Sequence, residues 1–443
     1  MFLQIQTPVP NDLPLPLPLP EWMLVFLLVV SFLIHLIFVN LMVGGTILSL
    51  VSQIKGLKDD DYHNLSHEIA RTITVNKSLA VVMGVAPLLC INTLYTMYFY
   101  SANALTGIMW IAIVPLVTVA FLLTYLNKYT WKTLDNNRPL CIAILSLATA
   151  IFLFIPLIFL TNVNLMLFPE KWGSVSGFLS ALLLPNVFPR YFHFIFASLA
   201  ITGLFLFWYM GRKSYPFDNY FKNLTRYDLK KKFYSLTLAA SAAQFVMGPL
   251  VMLTLPTKGF SWNLILVILT GASFSLPAMY WMWKAITGDE SNIDKNFGKI
   301  VTLLSITVIM MGSGRHIYRA NALDPHRKLM AAKTEAFIKA SEEARNNPEA
   351  EVTLEIDTTL GDVAIGGAVF KQYCAACHLK DSKLVGPPIL EMVSIYKDNP
   401  DGLISWIKNP GKKRADAPQM PAFGNQLDQD QLNEVSKYIL SIK

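Results

Sequence analysis

Charge is scarce in this chain. Of its 443 residues only 15% are Asp, Glu, Lys or Arg, against about 25% in a soluble domain. Over half, 53%, are hydrophobic. The shortage of charge excludes a single soluble globular domain, and the apolar content excludes disorder, so much of the surface must be hidden in lipid. Cysteine is scarce too. Four are too few for a disulfide scaffold. Cys90 and Cys141 stand alone in apolar runs, and the other two belong to one compact motif near the C-terminus. The long apolar runs contain no Asp or Glu. The net charge of +7 would suit a polyanion, but its distribution along the chain excludes nucleic acid as a partner.

Composition breaks near residue 319. Before it lie eight apolar spans, mostly of about 20 residues or more, enough to cross a bilayer as helices. They cover roughly 22–53, 79–100, 105–126, 139–163, 191–210, 234–254, 262–283 and 298–314. The first is overlong, so it tilts or projects. Pro14–Pro20 alternates Leu and Pro and reads as an extended lead-in. No small-residue cleavage site follows a short apolar core, so no removable signal peptide is expected.

Lys and Arg orient these spans. They concentrate in the first, third, fifth and seventh connections, for example Lys55, Lys58, Arg71 and Lys77 in the first and Arg212, Lys213, Lys222, Arg226 and Lys230–Lys232 in the fifth. The opposite side holds Lys171, Arg190 and Lys258. The N-terminus is therefore expected outside. Eight spans return the chain there, making everything after residue 319 periplasmic or its equivalent. The basic excess is a topology signal.

Residues 374–378 read Cys-Ala-Ala-Cys-His, the attachment motif of c-type haem. Cys374 and Cys377 are spaced for two thioethers, and His378 for the iron. Met420, in Gln-Met-Pro, is the candidate second axial ligand; a thioether there raises the potential. Gly386-Pro387-Pro388 forms a stiff turn able to accept a hydrogen bond from the other nitrogen of His378. Helices are expected at 366–373 and 430–441. The segment 361–443 resembles class I cytochrome c throughout. A zinc site would need a second Cys/His pair, and a thioredoxin-like site a strand context; neither is present. Between the domains, 327–346 reads as an amphipathic spacer helix in a linker over 320–360.

Of seven histidines, His63 and His67 read as solvated in an inside loop, and His326 as solvated in the linker. His35, His193 and His316 lie in or beside membrane spans, where an imidazole needs a partner or a metal. The topology gathers all three toward the outer side. For each alone, a hydrogen-bonded structural role competes with haem ligation; their common depth favours b-haem iron.

These segments resemble subunit I of the cytochrome bd oxidases. His35-Leu-Ile-Phe-Val-Asn-Leu-Met-Val-Gly44 is similar to that family's first-helix haem-ligand motif. Arg190-Tyr-Phe-His193-Phe-Ile-Phe-Ala197, with Gly203, is similar to its fifth-helix segment. Gly314-Arg315-His316-Ile317-Tyr318 stands where the family has Gly-Arg-Gln-Pro-Trp. The resemblance covers about residues 22–320. Departures accompany it. The family's glutamate ligand falls on Gly312, leaving His316, one turn on, to take that role. Its seventh-helix methionine has no counterpart, and Met247 or Met252 on the sixth span could substitute. The quinol-binding loop is reduced to Leu255–Ser261, and the ninth helix is absent.

The expectation is an all-α protein: an eight-helix membrane b-haem domain over 1–319, a linker over 320–360, and a periplasmic cytochrome c domain over 361–443. The cofactors are one covalent haem c and b haems, counted as two. Arg315 and Arg190 are the propionate partners. Electrons would pass between the b haems, served by quinone or a membrane partner, and periplasmic carriers through the c haem. The alternative is an oxygen reductase fed by its own cytochrome c; the fused domain favours it and the lack of membrane carboxylates opposes it. The location is the bacterial inner membrane. A second membrane subunit follows from the resemblance alone.

Overall fold

The computed structural model describes residues 17–346, 362–412 and 419–442. The start of the lead-in at Pro14 and residues 347–360 of the expected linker lie outside the described residues. Among the described residues every regular element is a helix. The chain divides into two compact units, 1–337 and 338–443.

Seven helices of the first unit are long and apolar enough to cross a membrane. They are α1 (Glu21–Lys55), α4 (Ile108–Tyr129), α5 (Arg138–Leu165), α7 (Val187–Gly211), α8 (Arg226–Thr254), α9 (Trp262–Thr287) and α10 (Phe297–Asn346). The eighth candidate is a bent pair, α2 (Asp60–Leu94) followed by α3 (Thr96–Thr106), turned by 110°, which counts as a crossing where the two helices form one span. The expected unbroken span over 79–100 is thus corrected. The helix stops at Tyr95, whose backbone leaves helical geometry (φ −131°, ψ 36°) while its ring is buried. Gly107, at φ 55°, then reverses the chain into α4. Short α6 (Phe178–Leu182) lies between α5 and α7.

Helix ends follow their caps. Asp59 accepts the Asp61 N–H ahead of α2, and Thr225 with Asp228 forms a capping box on α8. Prolines 87, 115, 156, 249 and 277 sit inside helices, as membrane helices tolerate. Small residues let backbones close in. A side chain on Gly44 would collide with the Ser198 carbonyl and Thr202 across α1 and α7, and one on Gly203 with Thr237 across α7 and α8. Ser49 and Ser66 clasp α1 to α2, their hydroxyls 3.0 Å apart.

Two histidine expectations are corrected as well. His63 and His67 lie on the first turns of α2, because the helix begins at Asp60; His63 is buried, and both rings stack on Trp131. His326 is packed too. Its Nδ1 is 2.9 Å from the Tyr98 hydroxyl, beside Trp172. The first unit includes this stretch because Ala322 and Leu323 are fully buried in it.

The second unit holds α11 (Asp362–Tyr373), α12 (Ile389–Tyr396), α13 (Pro400–Lys408) and α14 (Gln429–Ser441). α11 packs against α14 at Gly366, where any side chain would meet the Glu434 carbonyl. Phe370, Leu403, Ile407, Leu432, Val435 and Ile439 fill the core beneath.

Candidate functional site

In the second unit, the end of α11 winds the motif into one turn. Cys374 N–H and Ala375 N–H both donate to the Phe370 carbonyl, and His378 N–H donates to that of Cys374. Both thiols thereby line one cavity, of about 190 Å³, with His378, Pro387, Trp406 and Met420. His378 is 7% exposed. Its Nδ1–H donates to the Pro387 carbonyl at 2.8 Å, which fixes the tautomer and leaves the Nε2 lone pair for a metal. Gly386 is required there, since a side chain would overlap the imidazole. Met420 is held by its neighbours: Gln419 Nε2 donates to the Pro410 carbonyl at 3.1 Å, and Phe423 N–H to that of Ile407. Burial, with Cys377 beside it, pushes the Cys374 thiol up to about 11. Two thiols, an imidazole with one free nitrogen and a thioether around an apolar cavity fit a c-type haem. Among the described residues no three His, Cys, Asp or Glu side chains converge as a metal site, as the zinc alternative would need.

In the first unit, His35 on α1 donates Nδ1–H to the Ala80 carbonyl at 2.8 Å, leaving Nε2 free. Gly84 makes room beside its ring; a Cβ there would lie 2.9 Å from Cε1. His193 on α7 and His316 on α10 each have a buried Nδ1 without a hydrogen-bond partner. His35 precedes Asn40 by five residues and His193 precedes Ser198 by five, and Ser198 donates to Asn40 at 2.8 Å. His35 and His193 therefore share one depth. His316 lies further out, since its neighbour Arg315 stacks on Phe32 at 4.4 Å.

Arg190, Arg315 and Arg319 line one small cavity with Val163, Leu167 and Tyr318. Among the described residues no carboxylate pairs with any of the three. Arg319 is 7% exposed and lies over the Tyr95 ring at the break after α2. Sequence reasoning missed it, although it stands one turn beyond Arg315 on the same helix. For the methionines, Met252 packs in an apolar cluster with Leu264 and Tyr318. Gly203 against Thr237 and Gly211 against Lys230 set the antiparallel register of α7 and α8, and this places Met247 level with His193.

The fold and the Cys374–His378 site define a c-type cytochrome domain joined to a multi-pass helical membrane protein. Residues 361–439 match the family described as cytochrome c oxidase, cbb3-type, subunit III. The chain is 37% identical to cytochrome c6 of Diacronema lutheri over 89 residues, 18% of this chain and 96% of that protein. It is 35% identical to cytochrome c6 of Rippkaea orientalis over 85 residues, 18% of this chain and 71% of that protein. Through this domain the chain belongs to the cytochrome c family. It is an electron-transfer cytochrome with a c-type haem. These matches cover the C-terminal domain alone.

Proposed function

We propose that the membrane unit holds b haems on the side of the bilayer that carries the cytochrome c domain, and that the protein passes electrons between them and a periplasmic carrier through the c haem. The observation that carries this reading is the equal depth of His35 and His193, fixed by the Ser198–Asn40 hydrogen bond. His35 presents a free Nε2; Met247 on α8 is level with His193 on α7. His316 serves as a further ligand nearer the outer surface. Arg190, Arg315 and Arg319 form a site for propionates, because three guanidiniums around one cavity, paired with no carboxylate among the described residues, need anions.

When bound, the haems supply one-electron iron chemistry. The protein's own contribution is geometric and electrostatic. His378 is aimed by Pro387, the apolar cavity keeps water from the iron, and the arginines favour the reduced state nearby. The Lys and Arg asymmetry supports an outer N-terminus and an outer cytochrome c domain in a bacterial inner membrane. Electrons then need not cross the bilayer. Quinone or a membrane redox partner stands at one end and a soluble carrier at the other; a second membrane subunit is compatible with the exposed apolar helix faces.

A second reading, an oxygen reductase fed by its own cytochrome c, is favoured by the reduced connection between α8 and α9, since a fused donor replaces quinol. Pyridine haemochrome spectra with redox titration and oxygen uptake test both. Haem b with haem c and no oxygen uptake supports electron transfer. Haem d or rapid oxygen uptake supports the reductase. Haem c alone overturns the membrane-haem proposal and leaves the first unit an anchor.

A further inference from the structure

Two lysines from different helices meet at one tyrosine where α1 ends. Lys55, the last residue of α1, holds its ammonium 5.3 Å from the centre of the Tyr62 ring on α2. Lys232, in the second turn of α8, lies 4.8 Å from the same ring centre and donates to the Tyr62 hydroxyl. The two charges are therefore within about 10 Å of each other, close to the Debye length at physiological salt, so their repulsion is only partly screened. The carboxylates around them are engaged elsewhere. Asp59 caps α2, and Asp60 pairs with Arg138 at 2.8 Å. Asp61 accepts the N–H groups of Lys222, Asn223 and Leu224. Asp228, one turn before Lys232, accepts from the Thr225 hydroxyl and N–H. None of these four forms an ion pair with Lys55 or Lys232. The pair of ammonium groups is thus open to an anion. The Tyr62 hydroxyl accepts the Lys232 bond through its oxygen, so its own proton remains to donate.

The surroundings identify the anion's class. Val51 and Ile54 share the face of α1 that carries Lys55 and are 43% and 49% exposed. On α8, Ser235 and Ala239 follow Lys232 at helical spacing; both are exposed, and both are small. The two tracks run from the charged end toward the middle of their spans. An anion seated on the lysines therefore has room and apolar surface beneath it for hydrocarbon, which a phospholipid covers and a soluble phosphate does not. Both helices are long and apolar enough to cross a membrane. Lys55 and Lys232 stand near their ends, at headgroup depth, on the side where Lys and Arg concentrate.

We propose that Lys55, Tyr62 and Lys232 bind the phosphate of an anionic phospholipid, whose acyl chains lie along Val51 and Ile54 of α1 and Ser235 and Ala239 of α8. The lipid ties the end of α1 to the starts of α2 and α8. The site does not depend on the presence of b haems.

The test uses full-length protein with haem c attached, delipidated in a neutral detergent. It is titrated with phosphatidylglycerol, phosphatidylcholine or inorganic phosphate, and bound lipid is counted by native mass spectrometry. The expected result is one phosphatidylglycerol held in preference to phosphatidylcholine, a preference that falls as salt is raised. Lys55→Gln and Lys232→Gln should each weaken the phosphatidylglycerol by about fivefold, and the double variant should lose the preference. Tyr62→Phe keeps the ring and should weaken the same lipid. Lys128→Gln, whose ammonium lies over the ring of Tyr129 on its own helix, should leave it unchanged. Equal binding of the two lipids by the wild-type chain, or an undiminished preference in the double variant, overturns the proposal. Displacement of phosphatidylglycerol by equimolar inorganic phosphate overturns it too, since the site then reads a small anion and not a lipid. If the variants do not fold, the wild-type competition and its salt dependence decide.

Discussion

Ser198 donates a hydrogen bond of 2.8 Å to the Asn40 side chain, and each residue lies five positions after a histidine, His193 on α7 and His35 on α1. Both partners are fully buried. The bond therefore acts as a ruler, holding two imidazoles from different helices at one depth. Ser198 also returns a bond to the Phe194 carbonyl, so the contact is anchored within α7 as well.

From this follows the first expected outcome. His35→Ala and His193→Ala should each remove or convert a b-haem signal and leave the c-haem signal intact, by difference spectroscopy of purified protein. Full haem b content with unaltered spectra in both variants, and in His316→Ala, would make the membrane unit a scaffold. Asn40→Leu removes the ruler without touching a ligand. It should shift a b-haem midpoint potential while retaining haem.

The arginine cavity gives a second outcome. A positive charge near iron favours the reduced, less positive state. Arg319→Leu should therefore lower a b-haem potential, as should Arg315→Leu, with Arg319→Lys intermediate because a point charge replaces a planar fork. Potentiometric titration measures the shift. Potentials unchanged in both leucine variants would assign the arginines to another anion.

How much of this was written in the sequence differs by region. The Cys374–His378 motif is local: its ligands are neighbours in the chain, and the turn that orients them needs only the carbonyls of Phe370 and Cys374. The apolar spans were legible because about 20 residues of hydrocarbon contact leave an unmistakable composition. The start of α2 was not, because Asp60–Lys77 is polar enough to pass for a loop, and its helicity comes from packing on α1. The break at Tyr95 carries no Gly or Pro signal; it depends on contacts with Arg319 and other distant residues. His326 was misjudged for the same reason, since its partners Tyr98 and Trp172 are more than a hundred residues away. Arg319 became meaningful only once Arg190 and Arg315 were seen around the same cavity.

A third outcome concerns the connection between α7 and α8. The Asp61 carboxylate accepts the N–H groups of Lys222, Asn223 and Leu224 at 2.9, 2.6 and 2.7 Å. Burial alone would raise its pKa, but these bonds and the Lys222 charge outweigh burial and hold it below the usual value. A depressed folded pKa stabilises above the unfolded value, near 3.9, and the gain is lost as pH falls through the folded pKa. Asp61→Asn should destabilise the protein by about 1–3 kcal/mol at neutral pH and flatten the acid side of its pH–stability profile. Thermal unfolding in detergent across that range checks both. A variant as stable as the wild type at neutral pH would show that the clamp contributes nothing.

The last outcome separates the two sides of the c-haem cavity. His378 is fixed by Pro387, and Gly386 leaves no space for a side chain beside the imidazole. Gly386→Ala must push the ring or the loop, an overpacking cost of about 1–3 kcal/mol, and should reduce covalent haem content or domain stability. Met420 lines the same cavity. Met420→Ala removes only the thioether, so covalent attachment should persist while the c-haem potential falls and cyanide or imidazole gains access to the iron. The sulfur-to-iron charge-transfer band should vanish. The two variants thus have different signatures: Gly386→Ala acts on attachment and folding, Met420→Ala on potential and ligand access. An intact charge-transfer band and an unchanged potential in Met420→Ala would move the sixth ligand to another residue, and normal haem content in Gly386→Ala would mean that the loop yields without disturbing His378.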